Sequence, residues 1–149
     1  MLNYAREVFA KMEGSSDISD PLHTLTPGTR SRFQLVRRNR LFEFGYHTDL
    51  YRANKGESLF TKVTTVRPLY IVVNYTQSTV LFAQESAKGS PLFVKPSQQM
   101  PFHWNEKDHE KKVCVRIIPS KTDSDCSTDF DWSIGFTLSD AGTITLHNR

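Results

Sequence analysis

Cysteine is scarce in this sequence, with only Cys114 and Cys126, and long apolar runs are missing altogether. Two cysteines cannot make a disulfide framework. One bridge, or two free thiols in a reducing compartment, would each accommodate them. No segment approaches the ~20 consecutive apolar residues that a membrane-crossing helix needs. The stretch from Met1 to Met12 lacks the apolar core of a signal peptide. The expectation is a soluble, cytosolic chain. The sequon Asn74-Tyr75-Thr76 is set aside with it, because glycosylation follows secretion.

Catalytic signatures are also missing. There is no Gly-x-Ser-x-Gly elbow and no glycine loop to cradle phosphate. His23, His47, His103, His109 and His147 are scattered without a motif. His103, His109, Cys114 and Cys126 are separated by five, four and eleven residues, which fits no zinc spacing. Cys114 sits between Val113 and Val115 and reads as a small core or boundary side chain. Neither metal nor cofactor is expected, and the chain is not read as an enzyme. A net charge of +3 is too mild to suggest nucleic acid.

What is present favours strands. At 149 residues the chain can bury a core without staples. Ten phenylalanines against three methionines lean towards half-buried sheets. Leu2, Ala5, Val8, Phe9 and Met12 have helical spacing, ended by Gly14-Ser15-Ser16. A turn-rich stretch with Pro21 and Pro27 follows, so 1–28 is expected as an N-terminal helix and linker. The region 29–149 is expected as the globular domain. Arg30 to Gly45 predicts one strand or two short ones, and Asn54-Lys55-Gly56 a loop before a strand over 57–66. Pro68 to Asn74 is β-branched and apolar, which predicts a buried strand. Further strands are expected at 79–84, 92–94, 112–118, 132–138 and 143–147. About eight short strands joined by turns predict an all-β fold, an antiparallel β-sandwich.

Two charged clusters stand out. Arg30, Arg32, Arg37, Arg38 and Arg40 fall within eleven residues with no acid among them. They could touch an anionic surface, or guard an edge strand against aggregation. Asp123, Asp125, Asp129 and Asp131 lie between two strands and read as a solvated loop, with calcium as the functional alternative.

Three motifs then occur in order. They are Pro68-Leu-Tyr-Ile-Val-Val-Asn74-Tyr-Thr76 followed by Leu81 and Gln84, then Met100-Pro101-Phe102-His103-Trp104, then Asp131-Trp132-Ser-Ile-Gly-Phe136 closing at Gly142. Their order and gaps resemble one repeat of the adaptor-binding (VAB, formerly SHR-binding) domain of the vacuolar protein sorting thirteen family, the bridge-like lipid transfer proteins. The resemblance covers Leu59 to His147. It implies a β-sandwich module that binds short proline-containing peptides of organelle adaptors, and so a peripheral protein at membrane contact sites. It also implies that Asn74 is the asparagine such repeats carry after their apolar strand. The family strings several repeats together, and here there is one. Residues 1 to about 45 carry none of its pattern.

On the residues alone, Asn74 ends a strand where its amide can bond nearby backbone and fix a turn. Pro101 and Trp104 are expected as an aromatic lid, and Trp132 and Phe136 as core. An edge strand could receive a peptide by strand addition. The competing expectation is a C2-like sandwich that binds anionic lipid or calcium.

Overall fold

The computed structural model describes residues 7–52, 60–119, 130–139, 142–143 and 145. The loop expected at Asn54-Lys55-Gly56, Cys126, Asp123, Asp125, Asp129 and the closing residues Ile144, Leu146 and His147 lie outside them. Among the described residues the chain is all-β, with antiparallel strands and no helix. Two compact units divide it, Met1–Tyr70 and Ile71–Arg149.

The first unit is a three-stranded sheet of β1 (Arg30–Arg37), β2 (Arg40–Arg52) and β3 (Phe60–Pro68), in that order. Both ladders are antiparallel. β1 and β2 form a hairpin whose last pair is Arg37 with Arg40. The two residues between them, Arg38 and Asn39, have φ of 49° and 65°. Two left-handed residues in a two-residue loop match a type I′ turn, whose twist fits the flanking strands. Asparagine tolerates that conformation and arginine does not. Changing Arg38→Asn together with Asn39→Gly is therefore expected to raise the unfolding free energy by about 1 kcal/mol. Urea denaturation measures it, and a loss of stability would contradict the turn.

Strand alternation puts Phe33 and Leu35 on one face of this sheet, with Phe44 and Tyr46 from β2. Phe33 stacks on its cross-strand partner Phe44, ring centroids 5.2 Å apart. Leu22 joins Phe33, Leu35 and Tyr46 in a buried cluster, with Ala10 and Met12 packed against it.

The helix expected near the N-terminus is not formed where the chain is described; Leu2 and Ala5 lie outside the described residues. Residues 7–22 instead double back on themselves through bridges between Val8 and Leu22 and between Lys11 and Ile18. Ala10 and Met12 face the cluster, while Val8 and Phe9 are exposed. From Phe9 to Met12 burial alternates with a period of two, not 3.6. A helix so short is marginal by itself. Here Ser19 and Ala10 exchange hydrogen bonds, and Asp17 accepts from the Val36 amide at the end of β1. Gly14 turns the segment at φ 69°, and the guanidinium of Arg37 rests against it.

The second unit contains β4 (Tyr70–Val73) from Ile71 onward, then β5 (Thr79–Gln84), β6 (Leu92–Val94), β7 (Gln99–Phe102), β8 (Lys112–Ile118) and β9 (Phe136–Thr137). One sheet has the order β6-β5-β8-β9, and β4 pairs with β7. The strands expected at 79–84, 92–94 and 112–118 are found there. Two expectations need correction. Pro68 ends β3 rather than opening β4, and β4 is only half covered, with Ile71 and Val73 exposed. Of the strand expected over 132–138, only Phe136–Thr137 pairs, and Ile134 is 85% exposed.

Three ring contacts form one series in this unit, and the first of them joins its two sheets. Phe82 of β5 meets Phe102 of β7 edge-on at 5.0 Å, and Phe102 meets Trp104 at 5.1 Å. Phe136 approaches Phe82 from the other side at 6.3 Å. Such T-shaped pairs add to the energy of burial alone.

Candidate functional site

Asn74 leaves β4 and is buried, at 3% exposure. Its Nδ2 donates to the carbonyls of Ser78 and Val94, each at 2.8 Å. Its Oδ1 accepts from the Thr76 amide at 2.9 Å and the Thr76 hydroxyl at 2.8 Å. Its backbone amide donates to Gln98 O, and its carbonyl accepts from the Ser97 amide. One residue thus holds the end of β4, the approach to β5 and the end of β6 through its side chain, and the approach to β7 through its backbone. Both amide donors and the acceptor are used, the condition under which a buried polar group stabilises.

Gln84, at the end of β5, works the same way and was not singled out as a site residue by the sequence. Its Nε2 donates to the carbonyls of Glu106 and Glu110, and its Oε1 accepts from the Glu106 amide at 2.9 Å. It pins the 106–110 loop as Asn74 pins its own turn. The signal was present: an uncharged polar residue closing an apolar strand inside the first motif.

The two tryptophans exchange their expected places. Trp104 is 1% exposed and belongs to the core, whereas Trp132 is 39% exposed. Trp104 follows β7 directly and inherits its inward direction, while Trp132 lies in an irregular stretch ahead of β9. Pro101 is exposed on β7, which among the described residues pairs with β4 alone, and edge strands are where proline is tolerated.

The arginine run does not form one surface. Arg30 and Arg32 share the sheet face opposite Phe33 and Leu35. Arg37 points to the Phe33 face and is half-buried. Arg38 occupies the turn, and Arg40 lies over the Phe42 ring at 5.3 Å. On the face of Arg30 and Arg32 the register adds Arg67 of β3, beside Gly45. An open cavity of about 420 Å³ lies there, lined in part by Arg30, Gly45 and Arg67. Sequence reasoning missed Arg67 because only strand pairing brings it to the run.

The model of the vacuolar-sorting associated protein 13 adaptor binding domain matches residues 10–149. The chain belongs to this adaptor-binding family. It is 30% identical over 89 residues to the intermembrane lipid transfer protein vps13D of Dictyostelium discoideum, covering 60% of the chain and 2% of that relative. It is 26% identical over 95 residues to the intermembrane lipid transfer protein tipC of the same organism, with the same two shares. The chain thus spans about 2% of the length of the curated relatives it matches. The match starts at residue 10, so the family pattern reaches into the N-terminal segment, β1 and β2, which the resemblance from Leu59 onward had left out.

For an adaptor-binding domain the edges of the sheets matter. In the first unit β1 has its outer side occupied near Val36, whose carbonyl accepts from the Ser15 hydroxyl and whose amide donates to Asp17. β3 is the other edge, and no described strand pairs with its outer side. It is nine residues long and exposes Phe60, Val63 and Val66.

No group of three His, Cys, Asp or Glu side chains able to hold a metal occurs among the described residues. Of the acidic loop only Asp131 is described. Burial pushes the Cys114 thiol above its ordinary value, with the Glu85 carboxylate adding to the shift. That disfavours the reactive thiolate. No helix among the described residues is long and apolar enough to cross a membrane.

Proposed function

We propose that this domain captures short proline-containing peptides of organelle adaptors by adding them as a fourth strand to the outer edge of β3. Capture of this kind would place a longer lipid-transfer protein at membrane contact sites. The role is one of binding rather than catalysis. The observation that carries the reading is a nine-residue edge strand with three exposed apolar side chains in an adaptor-binding family member.

Long apolar edges invite pairing, and proteins usually blunt them with charge, proline or bulges. β3 has one internal cation, Lys62, and another, Arg67, next to its terminal Pro68. Proline suits such a partner. An added strand bonds to the edge through alternate residues. Two prolines spaced by one residue can therefore both turn their missing N–H groups away from the edge. Their rings then share one face and can lie on Val63 or on Val66, which occupy opposite faces of β3.

The test is calorimetric titration with adaptor peptides containing Pro-x-Pro. The wild type is expected to bind saturably. Val63→Glu with Val66→Glu should weaken binding at least about tenfold, with an unchanged thermal melt because both sites are already exposed. Alanine in place of the peptide prolines should weaken it too. No binding at millimolar peptide would overturn the reading for this chain alone, and full binding by the double variant would exclude the β3 edge.

A further inference from the structure

Gly45 sits in the central strand of the three-stranded sheet, where a glycine weakens the strand. Nothing in the backbone demands it. Its φ is not in the left-handed region, and an added Cβ would meet its nearest neighbour, Leu69 Cδ1, at an ordinary 3.9 Å. What the missing side chain creates is space. The cavity of about 420 Å³ lies over this position.

Register surrounds that space with positive charge. Gly45 pairs with Arg32 on one side and Arg67 on the other. Arg30 pairs with His47, two residues along the same face. Arg30, His47 and Arg67 line the cavity. No hydrogen bond or ion pair links the guanidinium of Arg30, Arg32 or Arg67 to another described side chain. Among the described residues of the three strands, two acids share the face. Asp49 lies 3.2 Å from His47 Nε2, and Glu43 is buried. Three arginines from two strands beside an open floor therefore outnumber the one accessible carboxylate on this face among the described residues, which already has a partner.

We propose that the Gly45 cavity is a phosphomonoester-binding site in which Arg30 and Arg67, which line it, take the phosphate oxygens, while Arg32, paired with Gly45 outside the lining, adds positive charge. The planar guanidinium offers paired N–H donors that match a phosphate edge, and several converging on one group is the usual way such dianions are held. A cavity of this size admits the phosphate and part of its carrier. Leu69 and the aliphatic stems of the arginines would contact that carrier. The site is independent of the β3 edge reading: it uses the sheet face, not the edge.

The same chemistry is offered by a soluble ester and by a lipid headgroup, and the experiment separates them. Glycerol 3-phosphate is titrated by calorimetry, and vesicles of phosphatidylcholine doped with phosphatidic acid are assayed by flotation. Arg67→Ala removes charge. Gly45→Val fills the floor and leaves all three arginines, and in a central strand valine should not lower stability. Each is expected to weaken binding about tenfold or more with an unchanged melt. Arg38→Ala, at the distant hairpin turn, should leave it within about twofold.

Binding of both probes, or of either one alone, supports the site and names its source. Failure of both probes with the wild type overturns it. Equal loss in Arg38→Ala and Arg67→Ala also overturns it, since the attraction would then be diffuse charge. Retained binding in Gly45→Val would show that the cavity is not where the phosphate sits.

Discussion

Asn74→Ala is expected to lower the unfolding free energy by about 2–3 kcal/mol. The largest share comes from one acceptor. Val94 is fully buried, and its carbonyl takes a 2.8 Å bond from Asn74 Nδ2. Without the amide that carbonyl has no water to turn to. The bonds to Ser78 and Thr76 count for less, because the turn they close is exposed and solvent can replace them.

Asn74→Asp sharpens the test. It keeps the shape and one acceptor, but sets a second oxygen where Nδ2 faced two carbonyls. At neutral pH it should therefore be less stable than the alanine variant. Protonation converts that oxygen into a donor, so the folded state favours the acid form. The folded pKa of the introduced aspartate is then raised above its ordinary ~3.9. In the window between the two values the folded state holds more protons than the unfolded one. Stability must fall as pH rises through that window and recover on acidification. Urea denaturation at several pH values, taken as the difference from wild type, measures this. A difference flat with pH would mean that Asn74 does not donate to buried backbone.

The part of the fold that was legible in sequence is the part that short local signals decide. β5, β6 and β8 are apolar, β-rich segments between turn residues, and they appear where the residues placed them. Asn74 was singled out because an Asx side chain after a strand has few other uses, and its amide bonds backbone at Ser78, Val94 and Thr76. The N-terminal segment was not legible. Leu2, Ala5, Val8, Phe9 and Met12 fit a helical period, and only the pairing of Val8 with Leu22 decides for a period of two. That partner lies fourteen residues away, beyond any local window.

The arrangement of the arginines was hidden for a related reason. Five of them within eleven residues left two readings open, an anionic-surface contact or a guarded edge strand, and the hairpin turn at Arg38 and strand alternation send them in three directions. The pocket that does gather charge recruits Arg67, thirty-five positions from Arg32, through β2. Adjacency in a strand separates side chains, whereas register joins them. A site built on a sheet face is therefore the kind that sequence order conceals, and a site built on one side chain, such as Asn74, is the kind it exposes.

The two tryptophans give the second large prediction. Trp104→Ala should cost about 3–5 kcal/mol, whereas Trp132→Ala should cost less than about 1 kcal/mol. The first is fully enclosed and ends the ring series that joins the two sheets of the second unit through Phe102 and Phe82. Removing it deletes a large apolar surface and leaves a cavity that these rings can fill only by abandoning their edge-on contacts. With a typical unfolding free energy of about 5–15 kcal/mol, such a loss takes a large fraction of the total. Far-UV circular dichroism in urea reads it without relying on the deleted fluorophore. Fluorescence supplies a second check in the intact core. The Trp132→Phe protein retains Trp104 alone, which should emit at short wavelength and resist acrylamide. The Trp104→Phe protein retains the half-exposed Trp132, which should be quenched readily. The reverse pattern would place Trp132 in the core, as the alternation of 132–138 had suggested, and would make the Phe82–Phe102–Trp104 series the wrong account of how these sheets are held.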